Sequence, residues 1–290
     1  MNLPQFNREI AEIRNDRIHG ASELARRCLA ILAEAAETLP AADCGEFRQC
    51  LLALAAELAA IRPSMAPIGN LLRRWREQIG TANGDLELLR RLATEQAAAL
   101  ITLSRQAVTD CATHAACWLG PGRTLMTHSL SSTVLETCRL LRDQGLRMIV
   151  TEARPLAEGR RVVERLSAWN VPTTYITDAQ MGLFVARADG VLVGADSLLA
   201  DGSAINKVGT ALLALAAREC GVPFYVCCES FKQRTENGPP PELEEMESTE
   251  LDVPAWPGVS ARNVYFDITP ARLIDAWISE TGVRQAVAAP

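Results

Sequence analysis

The chain has 290 residues, 48% hydrophobic and 22% charged, and carries a formal net charge of −6. That length and apolar content can bury a large core and suit two domains. The acidic balance gives no general attraction to nucleic acid or to an anionic membrane, so an anionic ligand must be held by local positive groups.

From Asn7 to about Leu119 the apolar spacing is helical, with Ile10, Ile13, Leu24, Cys28, Ile31 and Leu32 recurring at three- and four-residue steps. Turn chemistry interrupts it at Thr38 to Glu46, at Arg62 to Asn70, where prolines suit a helix start, and at Thr81 to Asp85. Asp85 can cap a long helix running from Leu86 toward Trp118. Residues 1–119 are therefore expected to form a helical domain.

At Gly120 the texture changes. Short β-rich runs, "RTLMT", "LRMIVTE", "TTYIT", "GVLVGA" and "PFYVCCE", alternate with helix-period segments such as "SSTVLETCRLLRDQG" and "INKVGTALLALAAREC". Such alternation requires right-handed crossovers, so residues 120–290 are expected to form a Rossmann-like α/β domain with a parallel sheet. A strand at "NVYF" and a helix at "PARLIDAWISETG" complete the expectation, and the acidic, proline-rich stretch Gln233 to Gly258 reads as a surface excursion and a candidate partner contact.

The apolar runs are too short for the ~20 residues of a membrane crossing, and the start lacks a signal-type apolar segment. Nine cysteines, odd in number and without a C-x-x-C pair, suggest reduced thiols in a cytoplasmic protein. His19, His114 and His128 are not at zinc spacing, so neither metal nor other cofactor is expected.

In open parallel sheets ligands bind beyond the carboxyl ends of the strands. There the sequence places Thr127, His128 and Ser129, then Glu152 and Arg154, Asp178, Asp196, and finally Glu229, Ser230 and Lys232. Only two lysines stand against 27 arginines, and both, Lys207 and Lys232, fall in this region. A compact ammonium can hold phosphate as a point charge, and a helix start at Asn206 to Gly209 would add N–H donors; chance placement is the alternative. Asp196 follows an apolar strand, which suits proton transfer, although a cap or turn role is equally compatible. His128 reads as a base or as a satisfied structural histidine, and Asp201–Gly202 as a turn. Arg154 can clamp an oxyanion with Glu152 orienting it, or the two can form an ordinary surface ion pair.

The segments "RIHGASELARR", "IRPSMAPIGN", "THSLSS", "VTEARPLAEGRR", "GADSLLADGSAINKVGT" and "NVYFDITPARLI", in this order from about Arg17 to Val283, resemble one superfamily. It comprises ribose-1,5-bisphosphate isomerase, methylthioribose-1-phosphate isomerase and the regulatory subunits of translation initiation factor 2B. The resemblance implies a helical domain followed by a Rossmann-like one, a homodimer or higher homo-oligomer formed through the latter, and a small phosphorylated sugar held in an interdomain cleft. By position it implies that His19, Gly20, Ala21 and Ser22 surround one phosphate and that Arg62 contacts substrate. Ser131, Ser132 and Thr133 would supply helix-start donors to another phosphate, and Asn206, Lys207 and Lys232 would bind sugar oxygens and phosphate.

Departures bear on the chemistry. The isomerases of this superfamily carry a cysteine after the "TH" pair that exchanges a proton with the sugar, together with the aspartate of "GAD"; here the first is Ser129 and the second Asp196. A hydroxyl is no equivalent acid or base without a partner. His19 also stands where an arginine is usual, which makes the charge there conditional on pH. Two functions follow: an aldose–ketose isomerase acting on a phosphorylated ribose, or a non-catalytic sugar-phosphate sensor or regulatory subunit like the initiation-factor alpha subunit. A nicotinamide oxidoreductase is disfavoured, because "GPGRTL" is no G-x-G-x-x-G and no acidic ribose anchor follows at the expected distance.

Overall fold

The computed structural model describes residues 6–234 and 243–286. Its contacts divide the chain into two compact units, Met1–Gln106 and Ala107–Pro290. The expected boundary at 119/120 lies at the end of a long helix, whereas the contacts divide the chain within that helix. Its last turns carry Cys111, Ala115 and Leu119, which pack into the core of the second unit.

The first unit is helical: α1 (Asn7–Arg14), α2 (Ala21–Thr38), α3 (Cys44–Ala59), α4 (Ala66–Thr81) and the first part of α5 (Leu86–Leu119). The starts follow from local chemistry. Asp43 accepts the Glu46 N–H ahead of α3 and Asp85 accepts the Leu88 N–H ahead of α5, while a proline occupies the first turn of α4. One stripe of α2, including Leu24, Cys28, Ile31, Leu32 and Ala35, is buried. Trp75 of α4 is fully buried, and its indole N–H donates to the Ala93 carbonyl at 3.0 Å.

The second unit is a doubly wound sheet. Its strands are β1 (Thr124–Thr127), β2 (Arg147–Thr151), β3 (Thr173–Ile176), β4 (Gly190–Val193), then β5 (Ser197–Leu198), β6 (Ala204–Lys207), β7 (Phe224–Cys227), β8 (Phe266–Thr269), β9 (Ala276–Ser279) and β10 (Gly282–Gln285). Four helices alternate with them: α6 (Ser132–Leu141), α7 (Gly159–Ala168), α8 (Met181–Phe184) and α9 (Thr210–Glu219). The main sheet has the order β10-β9-β7-β4-β1-β2-β3 and is parallel except for β10. Strand alternation sends Leu125, Met148, Val150 and Leu192 toward α5, α6 and α7, and Met126, Ile149, Val191 and Val193 toward α8 and α9.

Three expected elements differ. "INK" is not the start of a helix but strand β6, which pairs antiparallel with β5 and β8 in a separate three-stranded sheet. The C-terminal "ARLIDAWIS" stretch is not a helix either. It forms one 3-10 turn and then β9, whose Trp277 and Ile278 insert into opposite core layers, a two-residue alternation that a helix cannot supply. The expected strand at "NVYF" lies further on, at Phe266–Thr269. Of the acidic excursion, residues 235–242 lie outside the described residues; beyond them a 3-10 turn at Ser248–Leu251 is anchored where Asn263 and Tyr265 donate to Glu250. No helix among the described residues is long and apolar enough to cross a membrane.

Trp75→Ala should lower the unfolding free energy by about 3–5 kcal/mol, the cost of an emptied aromatic site together with a lost indole donor. Denaturant titration read by circular dichroism at 222 nm, where the helical unit dominates, would register it.

Candidate functional site

The main sheet reverses its winding between β1 and β4, since chain order runs outward from β1 through β2 to β3 and from β4 through β7 to β9. At such a point the two following loops diverge and leave a crevice at the carboxyl ends of the strands. Ser129 follows β1 there and Asp196 follows β4, so the two expected acid–base residues stand on neighbouring strands at the switch point.

The backbone around them is unusual. Ser129, Ala153 and Ala157 have φ of 69°, 56° and 51°, a left-handed conformation uncommon for residues with a side chain. Gly159 opens α7 so close to β2 that an added Cβ would lie 1.8 Å from the Thr151 carbonyl oxygen. This approach, possible only for glycine, brings Glu158 to the end of β2. Glu158 does not cap α7 with its side chain. Its Oε2 accepts a hydrogen bond from Ser129 Oγ at 2.5 Å, and its Oε1 lies 3.0 Å from Lys207 Nζ. The Lys207 ammonium also lies 4.2 Å from the centroid of the Tyr265 ring.

The second lysine is arranged similarly. Lys232, in a 3-10 turn after β7, is 5% exposed and lies 3.3 Å from Glu229 Oε2, while Thr133 donates to Glu229 Oε1 at 3.2 Å. Burial works to lower the Lys232 pKa, but the Glu229 carboxylate above all, with Asp196 adding to it, holds it above the ordinary lysine value. Both ammoniums are thus buried, and each is matched by a carboxylate.

His128 is structural in its contacts. Its Nε2 faces the Val208 carbonyl at 2.8 Å and must carry the proton, which leaves Nδ1 to accept from Thr151 Oγ1 at 2.6 Å. Burial lowers its pKa and favours this neutral tautomer. Gly209, at φ 104°, is needed beside it, because a Cβ there would meet His128 Nε2 at 3.0 Å.

The helix start expected at Asn206 to Gly209 differs in place and in availability. Asn206 and Lys207 are strand residues; Asn206 donates its amide to Thr210 Oγ1, and α9 begins only after Gly209. The N–H groups of Gly209 and Ala211 are already taken by the Asp267 carboxylate of β8. Protein charge occupies this anion position because the antiparallel β6–β8 pairing sets Asp267 opposite Asn206.

The other expected residues are placed as follows. Ser131 caps α6 through the Val134 N–H, Ser132 is exposed, and Thr133 is buried on Glu229. Arg154 turns its guanidinium to the Leu251 carbonyl at 3.0 Å rather than to the half-buried Glu152, and its own N–H is held by Asp178. In the first unit Gly20 is the residue before α2, and Ala21 and Ser22 form its first turn. His19 Nδ1 lies 2.7 Å from Asp16 Oδ2, which also receives Arg27, and the buried Arg62 donates to the Asp16 carbonyl at 3.3 Å. Glu158, Asp267 and Tyr265 escaped the sequence reading. Only the "EG" pair, an acidic residue before a close-approach glycine, marked Glu158.

A sequence profile of the Initiation factor 2 subunit family matches residues 17–286. Ribose 1,5-bisphosphate isomerase of Pyrococcus furiosus is 34% identical over 288 residues, covering 95% of this chain and 89% of that protein. The crystal structure of the Pyrococcus horikoshii translation initiation factor eIF-2B superposes with a TM-score of 0.85 at 32% identity, covering 97% of each chain. That of 5-methylthioribose 1-phosphate isomerase from the same organism gives 0.77 at 23% identity, covering 95% of this chain and 83% of that one, a likeness of fold.

Burial raises the Asp267 pKa from 3.8 to about 6, against the two backbone donors that work to lower it. The folded chain therefore holds this proton more tightly than the unfolded chain, and the group's contribution to stability falls as pH rises from about 4 to about 6. Asp267→Asn, neutral throughout, should gain on the wild type by up to about 3 kcal/mol between pH 4 and pH 7. Unfolding midpoints measured in parallel across that range would reveal the difference, and parallel curves would contradict it.

Proposed function

Because the chain belongs to the Initiation factor 2 subunit family, we propose that it is an aldose–ketose isomerase acting on a phosphorylated ribose, with ribose 1,5-bisphosphate the first substrate to test. The observation that carries this is the pairing at the switch point. Asp196 follows one strand and Ser129, hydrogen-bonded to Glu158, follows its neighbour. Isomerisation moves one proton between adjacent carbons, so it needs two acid–base groups on one small ligand and no covalent attack.

Lys207, Lys232 and Asn206 are assigned to sugar oxygens. A mixture of buried ammoniums and carboxylates suits hydroxyl groups, which donate and accept, better than it suits a second full negative charge. Phosphate binding is assigned to the helix-start donors at Ser131, Ser132 and Thr133, with Glu152 and Arg154 on the same rim, and in the first unit to His19, Gly20, Ala21, Ser22 and Arg62. The place of Gly20, Ala21 and Ser22 at the start of α2 supports the latter, because a helix start directs N–H groups toward an anion.

Assembly into a homodimer or higher homo-oligomer belongs to the same proposal, supported by an apolar face on α9 where Leu212 and Leu215 are 67% and 50% exposed. Nine cysteines without a disulfide support a reducing, cytoplasmic setting. One observation favours a binding-only sensor: Ser129 stands where the related isomerases are expected to carry a thiol.

Purified protein incubated with ribose 1,5-bisphosphate should form a ketose detectable by nuclear magnetic resonance. Asp196→Asn should slow this at least about 100-fold while calorimetric binding persists. Saturable binding by the wild type without any ketose, from ribose 1,5-bisphosphate and ribose 1-phosphate alike, would establish the sensor instead.

A further inference from the structure

Glu158 is placed at a cost that its helix does not explain. It begins α7 without capping it, and its side chain is only 13% exposed. One oxygen holds a serine hydroxyl and the other an ammonium. If neutralising Lys207 were its whole role, the second oxygen would need no partner held in left-handed backbone, a conformation that residues with a side chain rarely adopt. Ser129 is nevertheless kept there, 8% exposed, with its hydroxyl aimed along the carboxylate. A lone hydroxyl at neutral pH neither gives up nor accepts a proton readily; one hydrogen-bonded to a carboxylate has a place to send its own.

On the isomerase reading above, we propose that Ser129 and Glu158 form a single proton relay, with Glu158 acting through the Ser129 hydroxyl and Lys207 fixing the carboxylate in position. When Ser129 Oγ takes a proton from the sugar, its own proton passes along the existing hydrogen bond to Glu158 Oε2. The sugar's C–H bond breaks and leaves its electron pair on the sugar as the C–C double bond of an enediolate; one O–H bond breaks at Ser129, a new one forms there with the incoming proton, and another forms on Glu158. In the return step Glu158 gives its proton back to Oγ as Oγ delivers one to the sugar. No electrons are gained or lost, and no co-reactant is needed. Glu158 is then a positioning and relay residue that need not touch the sugar, and Asp196 remains the acid–base group on the neighbouring strand.

The test is the kcat and KM for conversion of ribose 1,5-bisphosphate to its ketose in the wild type, S129A, E158Q, E158D, S129C and S129C/E158Q. A thiol releases its proton without a carboxylate's help, so it uncouples the pair. S129A and E158Q should each lower kcat by about 10²–10⁴-fold with KM little changed. E158D, which keeps a charge for Lys207 but withdraws it from Ser129 by one methylene, should fall with them. S129C should turn over, and adding E158Q to it should cost less than about tenfold. Because S129C/E158Q carries the same disturbance at Lys207 as E158Q, its activity also reports that the variant folds.

An equal kcat loss from E158Q in the serine and cysteine backgrounds would overturn the relay and leave Glu158 a structural partner of Lys207. So would wild-type kcat in E158Q or E158D. Failure of the wild type to form any ketose overturns the isomerase reading and the relay together, whereas turnover that ignores Glu158 overturns the relay alone.

Discussion

Burying a charge in this fold demands an opposite charge, and that demand organises everything around the switch point. An unpaired ammonium or carboxylate taken out of water costs several kcal/mol, so each buried lysine comes with its own glutamate, Lys207 with Glu158 and Lys232 with Glu229. The residues contributing these charges come from different elements: β6, the loop between β2 and α7, and the turn after β7. The first pair ties β6 to the loop between β2 and α7, and the second closes the turn after β7 on itself. The apolar layers on either side of the sheet hold the strands that carry these pairs.

That balance limits what the second unit can do with an anion. Lys207 and Lys232 are opposed by Glu158 and Glu229, with Asp196 also beside Lys232. The start of α9, which would otherwise attract phosphate, is filled by Asp267. A phosphate entering there would bring further negative charge to two ammoniums already opposed by Glu158, Glu229 and Asp196. Hydroxyl groups would add none, and they could bond to either sign. On the function proposed above, this balance favours sugar oxygens over phosphate near the paired charges.

Much of the fold was legible because periodicity is a local property. Alternating strands and helices, the crossovers and the Asp85 cap could all be read from spacing and turn residues. The failures lie where pairing partners are distant in sequence. β6 carries "INK" directly ahead of a strong helix pattern, and only β8, some sixty residues later, makes it a strand. Likewise "AWIS" has a helical composition but occupies a slot between β7 and β10 that both core layers require. The candidate site divides in the same way. Ser129, Asp196 and the two lysines could be singled out from their positions after strands, but Glu158 and Asp267 matter because of what folding brings to them, and no spacing rule encodes that.

The scarcity of lysine then has a physical account that differs from phosphate gripping. Lys207 must reach a single Glu158 oxygen while lying against the faces of Tyr265 and Phe266, 4.2 and 5.6 Å from their centroids. A compact ammonium can present one hydrogen bond to a carboxylate and the rest of its charge to an aromatic face. A guanidinium is a planar fork whose five donors call for several acceptors when buried, and side-on it would engage both Glu158 oxygens, including the one that accepts from Ser129. Arginine serves elsewhere in the chain, where solvent or several carbonyls are within reach, as at Arg90 with the carbonyls of Ala36 and Leu39. At Glu158 the ammonium takes one oxygen and leaves the other to Ser129.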